Sequence, residues 1–196
     1  PSLRPGEPRG TFSRDEAAAH VETMPWPAFV IDEYMAMIAA NDKAQRLWGV
    51  DLAIEYPDPL DRTLVSVASN PRFADRVANW DELVRLMMAV FKRKEWGPQE
   101  SLEQPSPQFA AVLQRFLAGD PKYVSKLVQA WQETPAEVWD LKMRWTYPVV
   151  WNDPEAGQIR FACMATVASH ADSTNFNDWI PVDSASWAAL ERVLAR

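Results

Sequence analysis

The 196-residue chain carries few side chains of the kinds that make or break bonds. Its two histidines, His20 and His170, are far apart, and neither sits in a motif. A zinc site wants several His or Cys ligands. With Cys163 as the single cysteine, none can be closed. Six glycines leave little room for a Gly-rich phosphate loop, and no Gly-x-Ser-x-Gly nucleophile elbow is present. The adjacent carboxylates Asp81 and Glu82 fall on the polar side of a helix, where solvation is the simpler role. Cys163 lies inside an apolar strand and reads as a small buried hydrophobe. Lys92, Arg93 and Lys94 end a helix, where positive charge complements the dipole. This set points away from an enzyme.

The length fits one domain, or one domain with a decoration, and 47% hydrophobic and 24% charged residues are close to the globular average. No apolar run approaches the ~18 residues that a bilayer-spanning helix needs. Residues 1–10 mix Pro, Gly and Arg without the apolar core of a signal peptide, and Pro1 reads as a cut point within a longer protein. A lone cysteine suits a reducing cytoplasm. The net charge is -7. Residues 1–96 hold 12 basic and 15 acidic side chains and residues 97–196 hold 8 and 12, so no basic half exists. Such a surface repels phosphate backbones, and the chain by itself is not expected to bind duplex DNA. Ten tryptophans are scattered without a period. Rings of this size line both cores and ligand pockets, and core is the simpler role for any one of them.

The elements that must position these side chains follow from caps and periods. Residues 1–12 read as a linker, and Ser13 with Glu16 forms a capping box for a helix to about Thr23. Two short strands follow, at residues 28–32 and 35–40, with a hairpin turn at Asp32, Glu33 and Tyr34. Asn41 caps the next helix and Gly49 ends it. Residues 60–68 are expected to be helical. Asn70-Pro71 starts another helix, and Asn79 caps a longer one with Trp80, Leu83, Val84, Met87, Met88 and Phe91 on its apolar side, widened by Leu86 and Val90. Ser106 and Asp120-Pro121 open two more. After Pro135 the period becomes two: Trp139, Leu141, Met143, Trp145 and Tyr147 alternate with polar residues. A turn at residues 152–157 leads to a second strand at 158–169. A short strand at 179–182 and a terminal helix with Trp187, Leu190 and Leu194 complete the chain. Strands at both ends of a helical middle predict an α+β domain with an antiparallel sheet.

Residues 26–49, from Trp26-Pro27-Ala28-Phe29 through the helix-opening Asn41 to Trp48-Gly49, resemble the opening of a PAS domain. More narrowly, the chain resembles the ligand-binding domain of MmyB-like transcription regulators. Leu64-Val65-Ser66-Val67, Asn70-Pro71-Arg72-Phe73, Asn79-Trp80-Asp81-Glu82, Ser106-Pro107-Gln108-Phe109 and the two-strand end at 138–168 carry that likeness over about residues 24–194. The resemblance implies a PAS-like antiparallel sheet with a large helical insert between its second and third strands. Residues 1–23 would be linker and N-terminal helix, and residues 24–196 the PAS-like ligand-binding domain. It further implies a pocket for a small apolar molecule, with a fatty acid as the ligand class. In that family an XRE-type helix-turn-helix precedes the domain; residues 1–23 are too few and too Pro-rich to hold one. DNA binding is therefore expected only through a domain outside this chain. PAS domains elsewhere hold flavin or haem, but Cys163 sits in a strand and His170 is the one axial candidate near the sheet. Neither cofactor is favoured, and no metal is expected.

For such a pocket, Phe29, Ile31, Met143, Trp145, Phe161 and Met164 are the candidate floor. Trp80, Met87, Phe91, Phe109, Leu113 and Phe116 are the candidate lid, and Met adapts well to irregular ligands. Should the other side of the 139–147 strand face inward, Lys142 or Arg144 could pair with a carboxylate head group. A module that only dimerises, with no ligand, is the alternative. In either case a homodimer is expected, with the helix at 13–23 against its mate or against the sheet.

Overall fold

The structure, a computed structural model, describes residues 12–32, 34–92, 107–135, 144–169 and 174–196. The elements run α1 (Arg14–Glu22), β1 (Ala28–Ile31), β2 (Met37–Ala40), α2 (Asp42–Trp48), α3 (Leu52–Glu55), α4 (Leu64–Ser69), α5 (Pro71–Ala74), α6 (Trp80–Phe91), α7 (Pro107–Leu117), α8 (Pro121–Glu133), β3 (Arg144–Asp153), β4 (Gly157–Ser169), β5 (Thr174–Pro181) and α9 (Ser184–Leu194). The strands form one antiparallel sheet in the order β2-β1-β5-β4-β3. This is the α+β class that the sequence predicts.

Local chemistry fixes the ends. Ser13 and Glu16 form a complete capping box on α1. Asn41 does more than cap α2. Its Oδ1 accepts from the N–H of Ala44 at 2.9 Å and of Ala28 at 3.1 Å. Its Nδ2 donates to the carbonyls of Trp26 at 2.8 Å and Val21 at 3.3 Å. One buried amide thus ties the end of α1, the start of β1 and the start of α2. Gly49 closes α2 in the left-handed region, at φ 66°.

Four expectations shift, the first being the short strand expected at 179–182, which the structure extends back to Thr174 as β5. The helix expected at 60–68 begins only at Leu64, because residues 62–64 are held against the sheet. Met37 N–H donates to Arg62 O, Leu64 N–H to Met35 O, and Thr63 bridges Ala36. Thr63 then caps α4. The short α3 was not anticipated; Asp51 caps it through the N–H groups of Ala53 and Ile54. Asn79 stands at the N-cap of α6 without capping it. Its side chain accepts from Val150 N–H at 2.9 Å and donates to Pro148 O at 3.0 Å, binding α6 to β3. The caps expected at Ser106 and the strand before Arg144 lie outside the described residues.

Both edges of the sheet are covered over part of their length by the helical block. The 62–64 segment lies along β2. Along β3, Ala78 N–H donates to Val150 O and Asn152 N–H to Arg76 O. Pro148 offers no N–H at all. Edges treated this way do not template further strands.

The two faces of the sheet differ. On the inner face Phe29, Trp151 and Trp179 meet Trp48 of α2 and Phe73 of α5, with Phe29–Trp48 centroids 5.3 Å and Phe73–Trp151 centroids 5.4 Å apart, and Phe161 packs on Trp179 at 5.6 Å. This cluster, closed by Ala189, Leu190 and Val193 of α9, is the main core. On the outer face Ala17 and Val21 of α1 cover Ala28 and Val30. The N-terminal helix therefore packs on its own sheet, and the outer face of β3 and β4 carries exposed Arg144, Thr146, Pro148 and Ala162.

Candidate ligand-binding cleft

The face of β3 is settled by burial. Val149 and Trp151 are fully buried and Trp145 and Tyr147 half-buried, while Arg144, Thr146 and Pro148 are exposed. The apolar side turns inward, so Arg144 is not a head-group partner within the interior. Its Nε instead lies 2.5 Å from Met164 Sδ on the outer face. Lys142 lies outside the described residues.

Where β3 passes Pro148, an open cleft of about 580 Å³ lies between the strand, α6 and the end of α8. Thr146, Tyr147 and Pro148 form one wall; Glu82, Leu83, Arg85 and Leu86 form the second; Glu133, Thr134 and Pro135 close the end. The walls are mainly apolar, and the volume lies within the ~300–1,000 Å³ of small-molecule sites.

Each wall is held by a specific contact. Asn79 binds the start of α6 to β3, as described. At the other end of α6, Lys92 Nζ donates to Thr134 O at 2.6 Å and also to Trp131 O, over the Trp131 ring. The sequence assigns this cation to the dipole of its own helix; the fold gives it to the last carbonyls of α8. Burial lowers the pKa of its ammonium group. Tyr147 reaches from the cleft over the small side chains of β4 and donates to Asn177 Oδ1 at 3.1 Å. Burial of the phenol pushes its pKa well above the usual value, and nearby Cys163 adds to the effect. Cys163 is itself buried, its thiol pKa raised by the same desolvation. It is an inert core residue.

The residues expected to form floor and lid are dispersed. Phe29 and Phe161 belong to the aromatic core. Ile31, half-buried, packs at its border. Met164 is separated from Phe161 because side chains alternate along β4, which puts Met164 on the outer face. Trp145 is half-buried on the inner side of β3, next to the cleft. Met87 is buried in the core. Trp80 donates from Nε1 to Ala68 O at 2.8 Å and meets the Tyr123 ring. It lines a separate crevice of about 230 Å³ with Asp81, Arg85 and Lys126. Leu113 is half-buried on α7, and Phe116 borders a hollow of about 350 Å³ with Tyr56, Asn70 and Arg115. Met143 and the side chains of Phe91 and Phe109 lie outside the described residues.

Of the nine expected residues whose side chains are described, none lines the 580 Å³ cleft. Leu86 and Tyr147 were legible as apolar positions of their elements. Arg85 carried no signal in the sequence beyond its place on a helix; in the fold Asp81, four residues earlier, pairs with Lys126 at 3.4 Å.

Among the described residues no group of three or more His, Cys, Asp or Glu side chains is placed to hold a metal ion. No helix among them is long and apolar enough to cross a membrane.

No curated protein matches the chain. Residues 14–192 match a family described as the MmyB-like transcription regulator ligand binding domain. With nearly its whole length covered, and an α+β fold that opens a mainly apolar cleft between sheet and helices, the chain belongs to the MmyB-like transcription regulator ligand-binding domain family.

Proposed function

We propose that the chain is the small-molecule-sensing domain of a bacterial transcription regulator and that it takes a single-chain apolar ligand, a fatty acid, in the cleft between β3, α6 and α8. The observation that carries this reading is the size and mainly apolar lining of that cleft. The strand order β2-β1-β5-β4-β3, with helices α2 to α8 between β2 and β3, supports reading the fold as a PAS-like sheet with a helical insert. Duplex DNA would be bound by a helix-turn-helix domain outside these residues, since the net charge here is -7. The setting is cytoplasmic, no cofactor beyond the ligand is required, and the domain performs no catalysis.

Organic extraction of the purified protein followed by mass spectrometry tests the reading. A stoichiometric acyl compound supports it. A protein that yields none, and whose melting temperature no acyl compound raises, would leave a dimerisation module without ligand as the better account. We assign self-association, in either case, to the outer face of β3 and β4, which α1 leaves uncovered.

A further inference from the structure

Arginines in this fold are almost all engaged. Arg14 meets Asp32, Arg46 meets Asp42, Arg72 meets Glu55, Arg76 and Arg196 meet Asp153, Arg115 meets Asp58 and Asp61, and Arg160 meets Asp183. Arg62 and Arg192 donate to backbone carbonyls, and Arg144 to Met164. Arg85 makes no hydrogen bond or ion pair with any described residue. The acids nearest in sequence are committed elsewhere: Asp81 to Lys126, and Glu82 to the Asn79 amide at 3.3 Å. Across the cleft, Glu133 accepts from Gln129 at 2.7 Å.

Among the described residues Arg85, exposed at the rim, is also the one cation lining the apolar cleft. With Glu133 it borders the neighbouring polar crevice that holds Lys126 and Asp81. The position is therefore a boundary: apolar walls on one side, charged groups on the other. We infer that Arg85 binds the head group of a single-chain carboxylate whose tail lies along Leu83, Leu86, Tyr147 and Pro148. This rests on the reading of the cleft as an acyl site and adds the head group it selects. A guanidinium offers two parallel donors that match the two oxygens of a carboxylate. Glu82 and Glu133 on the same rim disfavour a doubly charged head group, so a carboxylate is selected over a phosphate monoester.

Calorimetric titration of the whole chain with dodecanoate, methyl dodecanoate and dodecyl phosphate tests this. A charge-assisted hydrogen bond is worth enough to separate acid from ester by about tenfold. Dodecanoate is expected to bind about tenfold more tightly than its methyl ester and more tightly than dodecyl phosphate. With an unchanged melting temperature of the unliganded protein reporting an intact fold, Arg85→Gln should remove the preference. Arg85→Lys should keep part of it. Equal binding of acid and ester, a preference that survives Arg85→Gln, or tighter binding of the phosphate each overturns the assignment of Arg85. Failure of all three compounds to bind overturns the acyl site itself, and the head-group assignment with it.

Discussion

Tyr147 of β3 and Asn177 of β5 are joined by a 3.1 Å hydrogen bond that passes over the intervening strand β4. The pair is possible because β4 presents Cys163 and Ala165 beneath it, both small and both buried. Asn177 is buried, and Tyr147 lines the cleft. The bond therefore links the cleft wall to the middle of the sheet.

Tyr147→Phe should keep the ring packing and remove that bond. Leaving the buried Asn177 oxygen without its donor costs about 1–2 kcal/mol, or roughly 3–6 °C in melting temperature for a domain of this size. Thermal denaturation of the two proteins measures it. A variant that melts with the wild type would remove the bond from the stability of the sheet.

Asp153 anchors the β3–β4 turn. Its Oδ1 accepts from the N–H groups of Glu155 at 3.0 Å and Ala156 at 2.7 Å, and Arg196 donates to it at 2.8 Å. Burial alone would raise the carboxyl pKa, but Arg196 and the two backbone donors outweigh it and hold the pKa below the usual value. The unfolded chain ionises near about 3.9. The contribution of Asp153 is therefore full above that pH and is lost as pH falls through the lower folded value. Asp153→Asn should cost about 2 kcal/mol at neutral pH and flatten the acid limb of the stability–pH curve. Urea titrations between pH 2 and 7 would reveal an unchanged limb if another acid dominates.

Lys92 holds the ends of α6 and α8 together at the closed end of the cleft. Lys92→Met keeps most of the stem against Trp131 and leaves two terminal carbonyls of α8 without this donor. The expected loss is about 1–2 kcal/mol. Hydrogen exchange should rise selectively in the last turns of both helices. Uniform exchange across the domain would mean that Lys92 is not a local clamp.

An acyl chain buried in the cleft gains about 0.8 kcal/mol per CH₂. Twelve methylenes give roughly 10 kcal/mol before ordering costs, consistent with about micromolar binding. A ligand of the folded state raises stability by mass action, so saturating C12 to C16 fatty acids should raise the melting temperature. Leu86→Trp, at a half-buried lining position, should fill the cleft and abolish the shift while the protein stays folded. A shift that survives this substitution would move the site elsewhere on the molecule.

The outer face of β3 and β4 is the expected self-association surface, because α1 covers only the β1 side of that face. Ultracentrifugation at high micromolar concentration should detect a dimer, and Ala162→Arg should weaken it. A strictly monomeric mass would assign this face to solvent.

The sequence by itself determined the local grammar. The Ser13–Glu16 box, Asn41 with Gly49, Asn70 before Pro71 and Asp120 before Pro121 each act within a few residues, and each stands in the fold where the spacing requires. The period of two in β3 and β4 is local in the same sense; it already separates Phe161 from Met164, whose assignment to one pocket floor the alternation forbids. Only the tertiary structure decided which apolar residues meet. Phe29, Phe73, Trp151 and Trp179 converge because four elements distant along the chain pack together, and no window of a few residues contains that arrangement. The cleft is of the same kind. Leu86, Tyr147 and Pro135 come together through Asn79 binding β3 and Lys92 binding α8, contacts that span 71 and 42 residues. Among the described residues Arg85 has no partner, because Asp81, four residues earlier on the same helix, turns to Lys126 on another helix, a choice that only the packing of α6 on α8 makes.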